Sequence, residues 1–378
     1  LESASTAATG GSGNRQGALY AKLPIKPTKQ GQLHLSGFLF SLNLLKKIDT
    51  RQSLWSQCGV IQLATSEKEL SRQEELIAGN QYPTSLLQPK SAEELTNIAG
   101  SKIQHNGLYF PDAGWVSPVE LCKTLLSHPN IHVEYNFNAQ TIKRHNDNWQ
   151  IISDKNESRE ASHLIICSAE KANQYPQCEA LPLKKIRGQV SITPAIPEPN
   201  SLQSVVCGEG YISPAQNQQY CFGATFDLRS EELNICAEDH QHNLQKLGEA
   251  LPSLGKQITP LFNELDGRTA FRCSTPDYMP IVGPIADEPY YKETYAKLSQ
   301  DKNWGFHNAP AKHHPNLFIN TGHGSKGLIT CPISAELLAA QLCAEPLPLP
   351  ISVVNALNPC RFIVKDLIRN KTKTPKPA

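Results

Sequence analysis

Asn316-Leu317-Phe318-Ile319-Asn320-Thr321-Gly322-His323-Gly324-Ser325-Lys326-Gly327-Leu328 carries a short apolar strand into a glycine-rich turn, and a helical stretch over 333–344 follows. Strand, tight turn and helix in that order form the unit of an α/β nucleotide-binding fold. The glycines allow positive φ and close approach of the backbone to a ligand. The first amides of a helix favour negative charge. The turn therefore suits a phosphate or the electron-rich edge of a redox ring, and a tight connection without ligand has the same pattern. It is not a phosphate loop of the GxxxxGKS/T kind.

A second turn lies near the start of the chain. Gly10-Gly11-Ser12-Gly13-Asn14-Arg15-Gln16-Gly17 sets donor side chains among glycines. That composition is open both to phosphate or ring-carbonyl recognition and to an exposed loop. Before it stands Leu1-Glu2, where an acidic residue ending a second strand would bind a ribose. No GxGxxG precedes this turn, and the only methionine is Met279. The expectation is a chain that starts after the first strand and helix of its nucleotide-binding domain, and that holds its nucleotide weakly or not at all as it stands.

Between the turns, residues 65–99 have helical patterning. Ser117-Pro118-Val119-Glu120 reads as a capping box with proline at the first helical position. It predicts a helix burying Leu121, Leu125 and Leu126 and stopping near His128-Pro129. Strands are predicted at 131–133, 149–152 and 163–167, the last buried on both faces. Residues 186–192, 204–212 and 220–226 read as successive antiparallel strands, followed by a helix over 230–251. The fold class is α/β, with two domains woven from alternating segments. Residues 1–40, 100–183 and 284–360 form the nucleotide-binding domain. Residues 41–99 and 184–283 form a mostly antiparallel substrate domain, and 361–378 a mobile basic tail.

Composition narrows the function. Apolar residues make up 39% and charged residues 19%, as in a globular protein with a sizeable core. The net charge of +1 gives no global field for nucleic acid, so any such contact is a local patch. The tail, with Arg361, Lys365, Arg369, Lys371, Lys373 and Lys376 against Asp366, is one candidate; a solvated tail is the other reading. No apolar run approaches the roughly 18 residues of a membrane span. The eleven cysteines form no CxxC pair and read as small buried apolar residues of a reducing, cytoplasmic protein.

Arg272 precedes Cys273-Ser274-Thr275-Pro276-Asp277 and Pro280-Ile281-Val282-Gly283. An arginine beside a buried sheet can grip a carboxylate with two parallel hydrogen bonds, or it can be a structural partner of Asp277 or Glu264. His240-Gln241-His242 and His313-His314 lack a cysteine or carboxylate at ligand spacing, so no metal site is expected.

Together these stretches resemble one family. Ser12 to Tyr20 resembles the segment after the second strand in the oxidoreductase half of the MnmC family of bifunctional tRNA-modifying enzymes. Gly107-Leu108-Tyr109-Phe110-Pro111-Asp112-Ala113-Gly114-Trp115-Val116 resembles its G-x-x-x-P-x-A-G-W-V segment. Ile186-Arg187-Gly188-Gln189 resembles its first substrate-domain strand, and Arg272 to Gly283 its R-x-S-T-P-D-x-x-P-x-V-G run. Gly322 to Leu328, Cys343 to Pro348 and Asn358 to Phe362 resemble its C-terminal end. The middle stretches are shared across D-amino-acid-oxidase-like flavoenzymes.

The resemblance implies an FAD-binding domain interleaved with a substrate domain of glycine-oxidase type. It implies FAD-dependent removal of the carboxymethyl group from 5-carboxymethylaminomethyl-(2-thio)uridine at the tRNA wobble position, with release of glyoxylate. A small-molecule glycine- or sarcosine-type amine oxidase, or a non-catalytic tRNA-binding remnant, are the alternatives. By resemblance Arg272 holds the substrate carboxylate. Glu2, Ser12, Gly13, Asn14, Arg15, Gln16, Gly17, Ser168, Ala169, Gly322, His323, Gly324, Ser325, Lys326, Gly327 and Leu328 line the cofactor. The implied partners are tRNA and a methyltransferase domain of the same polypeptide. Cys167-Ser168-Ala169 departs from the family's A-x-G at the adenosine contact.

Overall fold

A computed structural model describes residues 1–49, 53–196, 202–305 and 309–369. Packing divides the chain into two units, one of 1–5, 133–185 and 273–378, the other of 6–132 and 186–272. One division falls between Lys185 and Ile186. Residues 6–40 and 100–132 belong to the second unit. The reason is pairing: Gly17–Leu19 bonds to Gly114–Val116, which also pairs with Trp55–Ser56.

The first unit holds the strand–turn–helix read from the sequence. His313–Thr321 pairs in parallel with Leu164–Ile166 and antiparallel with Ile281–Ala286. A separate antiparallel sheet joins Ala139–His145, Asn148–Ser153 and Ser158–Ala161. Trp149, Ile166, Ile281, Leu317, Ile319 and Phe362 share one core.

The second unit also holds an eight-stranded sheet among the described residues. Val60–Leu63 runs parallel to Val205–Cys207; the other described pairings in this sheet are antiparallel. Helices Ala237–Ala250 and Pro252–Ile258 cover it, with Leu244, Leu247, Leu254 and Ile258 packed on Ile61, Leu63, Val206 and Phe222.

Several expectations need correction. Residues 131–133 form no strand. The strand at 164–166 is not buried on both faces: it lies at a sheet edge and Ile165 is exposed. Helix Pro118–Leu126 buries Leu121 but exposes Leu125, and Leu126 is half-buried. Its capping box is half made. The Glu120 amide donates to Ser117 Oγ, but the Glu120 side chain turns to Lys123, because the Ser117 amide already bonds the Leu54 carbonyl. The helix expected from 230 begins at Ala237, and the helix expected from 333 begins at Gly327. The cysteines are unpaired, yet only Cys178, Cys207, Cys221 and Cys273 are buried.

The tail is also corrected. Arg361–Ile368 is a helix that buries Phe362 and Leu367. Arg361 donates from Nε and Nη2 to the Asp277 carboxylate at 3.0 and 3.1 Å, so it is not a free cation for phosphate. Lys371, Lys373 and Lys376 lie outside the described residues. No helix of the described residues is long and apolar enough to cross a membrane.

Candidate functional site

In the first unit the turn after His313–Thr321 needs its glycines. Gly322 and Gly324 have φ of +79° and +56°, values that cost a side-chain-bearing residue about 1 kcal/mol or more. A Cβ on Gly322 would also lie 2.8 Å from Thr275 Cγ2. The Gly324 amide bonds the Cys273 carbonyl at 2.7 Å. Helix Gly327–Cys343 then starts at Lys326 without a side-chain cap, so its positive end keeps an affinity for anions or electron-rich groups. Ser325 is exposed, and Lys326, Gly327 and Leu328 are half-buried.

The His323 ring faces its own turn. Nδ1 meets Thr330 Oγ1 at 2.9 Å and Nε2 meets Asn320 Oδ1 at 2.8 Å. Burial pushes its pKa down to about 4, which keeps the imidazole neutral at ordinary pH. It braces strand and helix on either side of the turn.

Ser168 and Ala169 approach the same region. Glu170 and Gly324 both lie against Cys273, the first through its charge and the second through its amide. Ser168 Oγ is buried with no hydrogen-bond partner among the described residues. Ala169 sits at φ +52°, the conformation for which the glycine of A-x-G is suited. The departure in sequence thus keeps the backbone shape. Glu2 is tied by its backbone to Glu134 and Phe137, in extended pairing, and Oε1 accepts the Ala4 amide at 2.9 Å.

Residues 266–272 of the strand Asp266–Ser274 lie in the second unit and organise the other candidates. Arg268 and Arg272 are four apart, so they leave the same face. Arg268 Nη1 donates to Asn14 Oδ1 at 3.0 Å, and Nη2 to the carbonyls of Thr9 at 2.6 Å and of Gly10. Gly13 lies on that guanidinium: a Cβ there would come within 2.6 Å of Arg268 Cζ. Gln16 is buried, its Nε2 donating to the Pro214 carbonyl at 2.9 Å, while Ser12 and Arg15 are exposed and Gly17 half-buried. The Tyr211 hydroxyl donates to the Gln16 carbonyl at 3.2 Å and acts electrostatically on Arg272, which brings Gln16 and Arg272 together.

Arg272 is half-buried and donates to the Thr225 carbonyl at 3.2 Å. It makes no ion pair among the described residues. Asp277, its expected structural partner, is held by Arg361. Burial lowers the pKa of Arg272, and Tyr211 opposes that. Its guanidinium lies over Gly188, where a Cβ would stand 2.7 Å from Cζ. Arg268, Tyr211 and Gly188 were not assigned roles from sequence. The spacing of Arg268 to Arg272 along a strand is the one signal that marks them.

Among the described residues no three histidines, cysteines or carboxylates converge as a metal site. The features of the first unit fit a large anionic cofactor: an orphaned serine hydroxyl, a glycine cradle and an uncapped helix start.

Comparisons with known proteins agree. The chain is 41% identical over 95% of its length to a tRNA 5-methylaminomethyl-2-thiouridine biosynthesis bifunctional protein MnmC from Pseudomonas aeruginosa, and 39% identical over 96% to that of Chromobacterium violaceum. It spans 55% of the length of each. Among solved structures, glycine oxidase from Geobacillus kaustophilus superposes with a TM-score of 0.74 at 17% identity, covering 95% of this chain and 90% of that one. Iminodiacetate oxidase from Chelativorans gives 0.70 at 16%, covering 92% and 89%. These two share the fold. The model of the FAD dependent oxidoreductase family matches residues 1–341. The chain belongs to that family of FAD-dependent oxidoreductases.

Proposed function

We propose that this chain oxidatively removes the carboxymethyl group from 5-carboxymethylaminomethyl-(2-thio)uridine at the tRNA wobble position, leaving the aminomethyl nucleoside and glyoxylate. One observation carries the reading. Arg272 is a desolvated guanidinium whose described hydrogen bond goes to a carbonyl, with no acidic partner among the described residues. Such a group binds a carboxylate strongly. The relatives named for this wobble modification supply the nucleoside context.

FAD, when bound, supplies the two-electron oxidation of the CH–NH bond. Glu2, Ser168, Ala169 and the residues Gly322 to Leu328 of the first unit would hold it. Arg272 fixes the carboxylate and hence the α-carbon. Positioning of this kind is worth several kcal/mol, up to roughly 7–11 in ideal cases. A cation beside the substrate nitrogen also favours the neutral amine, the form that is oxidised. Hydrolysis of the product imine frees glyoxylate. Lys365, Arg369 and the basic residues beyond them are a further contact for tRNA phosphates, the methyltransferase is a domain of the same polypeptide, and the setting is cytoplasmic.

The test is to incubate FAD-loaded protein with tRNA bearing the carboxymethylaminomethyl group. Nucleoside mass spectrometry should show the aminomethyl product with one glyoxylate per conversion. Turnover of free glycine or sarcosine at rates comparable to tRNA would instead mark a small-molecule oxidase.

A further inference from the structure

Four large apolar side chains stand in water on one segment of the second unit. Phe226, Leu228, Leu233 and Ile235 are 57, 62, 48 and 48% exposed. Scattered singly such residues are ordinary, but an apolar cluster marks an interaction site. The segment is not loose. Asp227 pairs with the backbone of Arg187 in both directions. The Arg187 guanidinium donates to the Glu232 and Asn234 carbonyls, each at 2.6 Å, and to Asp239. Thr269 Oγ1 donates to the Leu233 carbonyl. One buried arginine thus ties both limbs, and Phe226 and Leu228 leave the first limb on the same side.

The segment begins at Arg272. Thr225, whose carbonyl accepts from Arg272 Nη1, immediately precedes Phe226. In the proposed substrate, four bonds separate the carboxylate carbon from the pyrimidine, about 5 Å at the usual advance per bond. A carboxylate on Arg272 leaves the ring within reach of the next residue along. Glu231 and Glu232 are exposed on the same segment against the one exposed cation Arg229, so the segment carries more repulsion than attraction for phosphate. What the segment offers RNA is therefore a face for a splayed base rather than a backbone track.

We propose that Phe226, supported by Leu228, Leu233 and Ile235, is a platform on which the wobble base stacks beside Arg272. This rests on the wobble-uridine reading above. The experiment uses the FAD-loaded protein and two anticodon stem-loop RNAs, one with uridine and one abasic at the wobble position, with binding read by fluorescence anisotropy at fixed salt. The wild type should prefer the uridine loop by roughly 5- to 150-fold, the range of one base stacked on an aromatic ring. Phe226→Ala should reduce that preference to near unity, and Phe226→Trp should keep it. Both variants should melt with the wild type, since the side chain is exposed.

Persistence of the full preference in Phe226→Ala overturns the platform while leaving the RNA reading intact. Loss of self-association in Phe226→Ala with RNA preference unchanged also overturns it, assigning the face to a second copy of the chain. A wild type that binds neither RNA removes the wobble-uridine reading and the platform with it.

Discussion

Replacing Gly188 by alanine isolates the role of Arg272 without touching Arg272. A Cβ at this position would stand 2.7 Å from Cζ and Nη2 of Arg272 and closer still to Nη1. Ordinary contact begins near 3.4 Å, so the guanidinium must move by about 0.7 Å or more. The obstacle is the end of a flexible side chain, and Gly188 is not among the glycines at positive φ. Folding should therefore survive, helped by about 0.5–1 kcal/mol because alanine is better than glycine inside a strand. A carboxylate held by a displaced arginine loses alignment, and a shift near 1 Å costs about 100-fold. Gly188→Ala should thus lower kcat/KM by about 10- to 100-fold, or 1.4–2.7 kcal/mol. Its melting temperature should stay within a few degrees. Steady-state kinetics against tRNA bearing the carboxymethylaminomethyl group, with differential scanning fluorimetry in parallel, reads both quantities. Unchanged kcat/KM in a folded variant would refute the assignment of Arg272 to the substrate.

Ala169→Gly relieves a left-handed φ of +52° and should stabilise the protein by about 1 kcal/mol, seen as a raised urea midpoint at constant m. Burial pulls the Asp277 carboxyl up, but Arg361 more than offsets it and the pKa ends below the usual value. That stabilisation is present above the unfolded pKa of about 3.9 and lost as pH falls through the lower folded value. Asp277→Asn should cost about 1–3 kcal/mol at neutral pH, because Arg361 loses a charged partner, and should flatten the acid limb of the stability curve. His323 titrates at about 4 when folded against about 6.5 when unfolded. Its stabilisation is complete above pH 6.5 and falls towards pH 4, by up to roughly 1.4 kcal/mol per pH unit. Urea midpoints between pH 4.5 and 7.5 should lose that slope in His323→Phe, and an identical slope would refute the buried imidazole.

Much of the first unit was legible because local rules govern it. A short apolar strand, closely spaced glycines and a helical stretch leave one geometry, and His313–Thr321 into Gly327–Cys343 has it. The helix start was missed because Pro332, which lies inside the helix, reads as a boundary. The start at Ala237 was missed for a non-local reason. Arg187, about fifty residues earlier in the chain, takes the Glu232 and Asn234 carbonyls that a helix would use. Arg272 was marked as a candidate by motif, but that Asp277 is not its partner depended on Arg361 claiming Asp277, a pairing across 84 residues that no spacing discloses. Gln16 was read as a ligand contact, and its side chain also bonds the Pro214 carbonyl, which no spacing in the sequence discloses.

The most direct test is anaerobic bleaching of bound flavin in a single turnover. One tRNA would carry 5-carboxymethylaminomethyluridine at the wobble position, and the other 5-methylaminomethyluridine, which has the same nitrogen and no carboxylate. The account predicts bleaching by the first alone, slowed at least 100-fold in Arg272→Ala. Equal bleaching by both tRNAs, or an undiminished rate in Arg272→Ala, would contradict it.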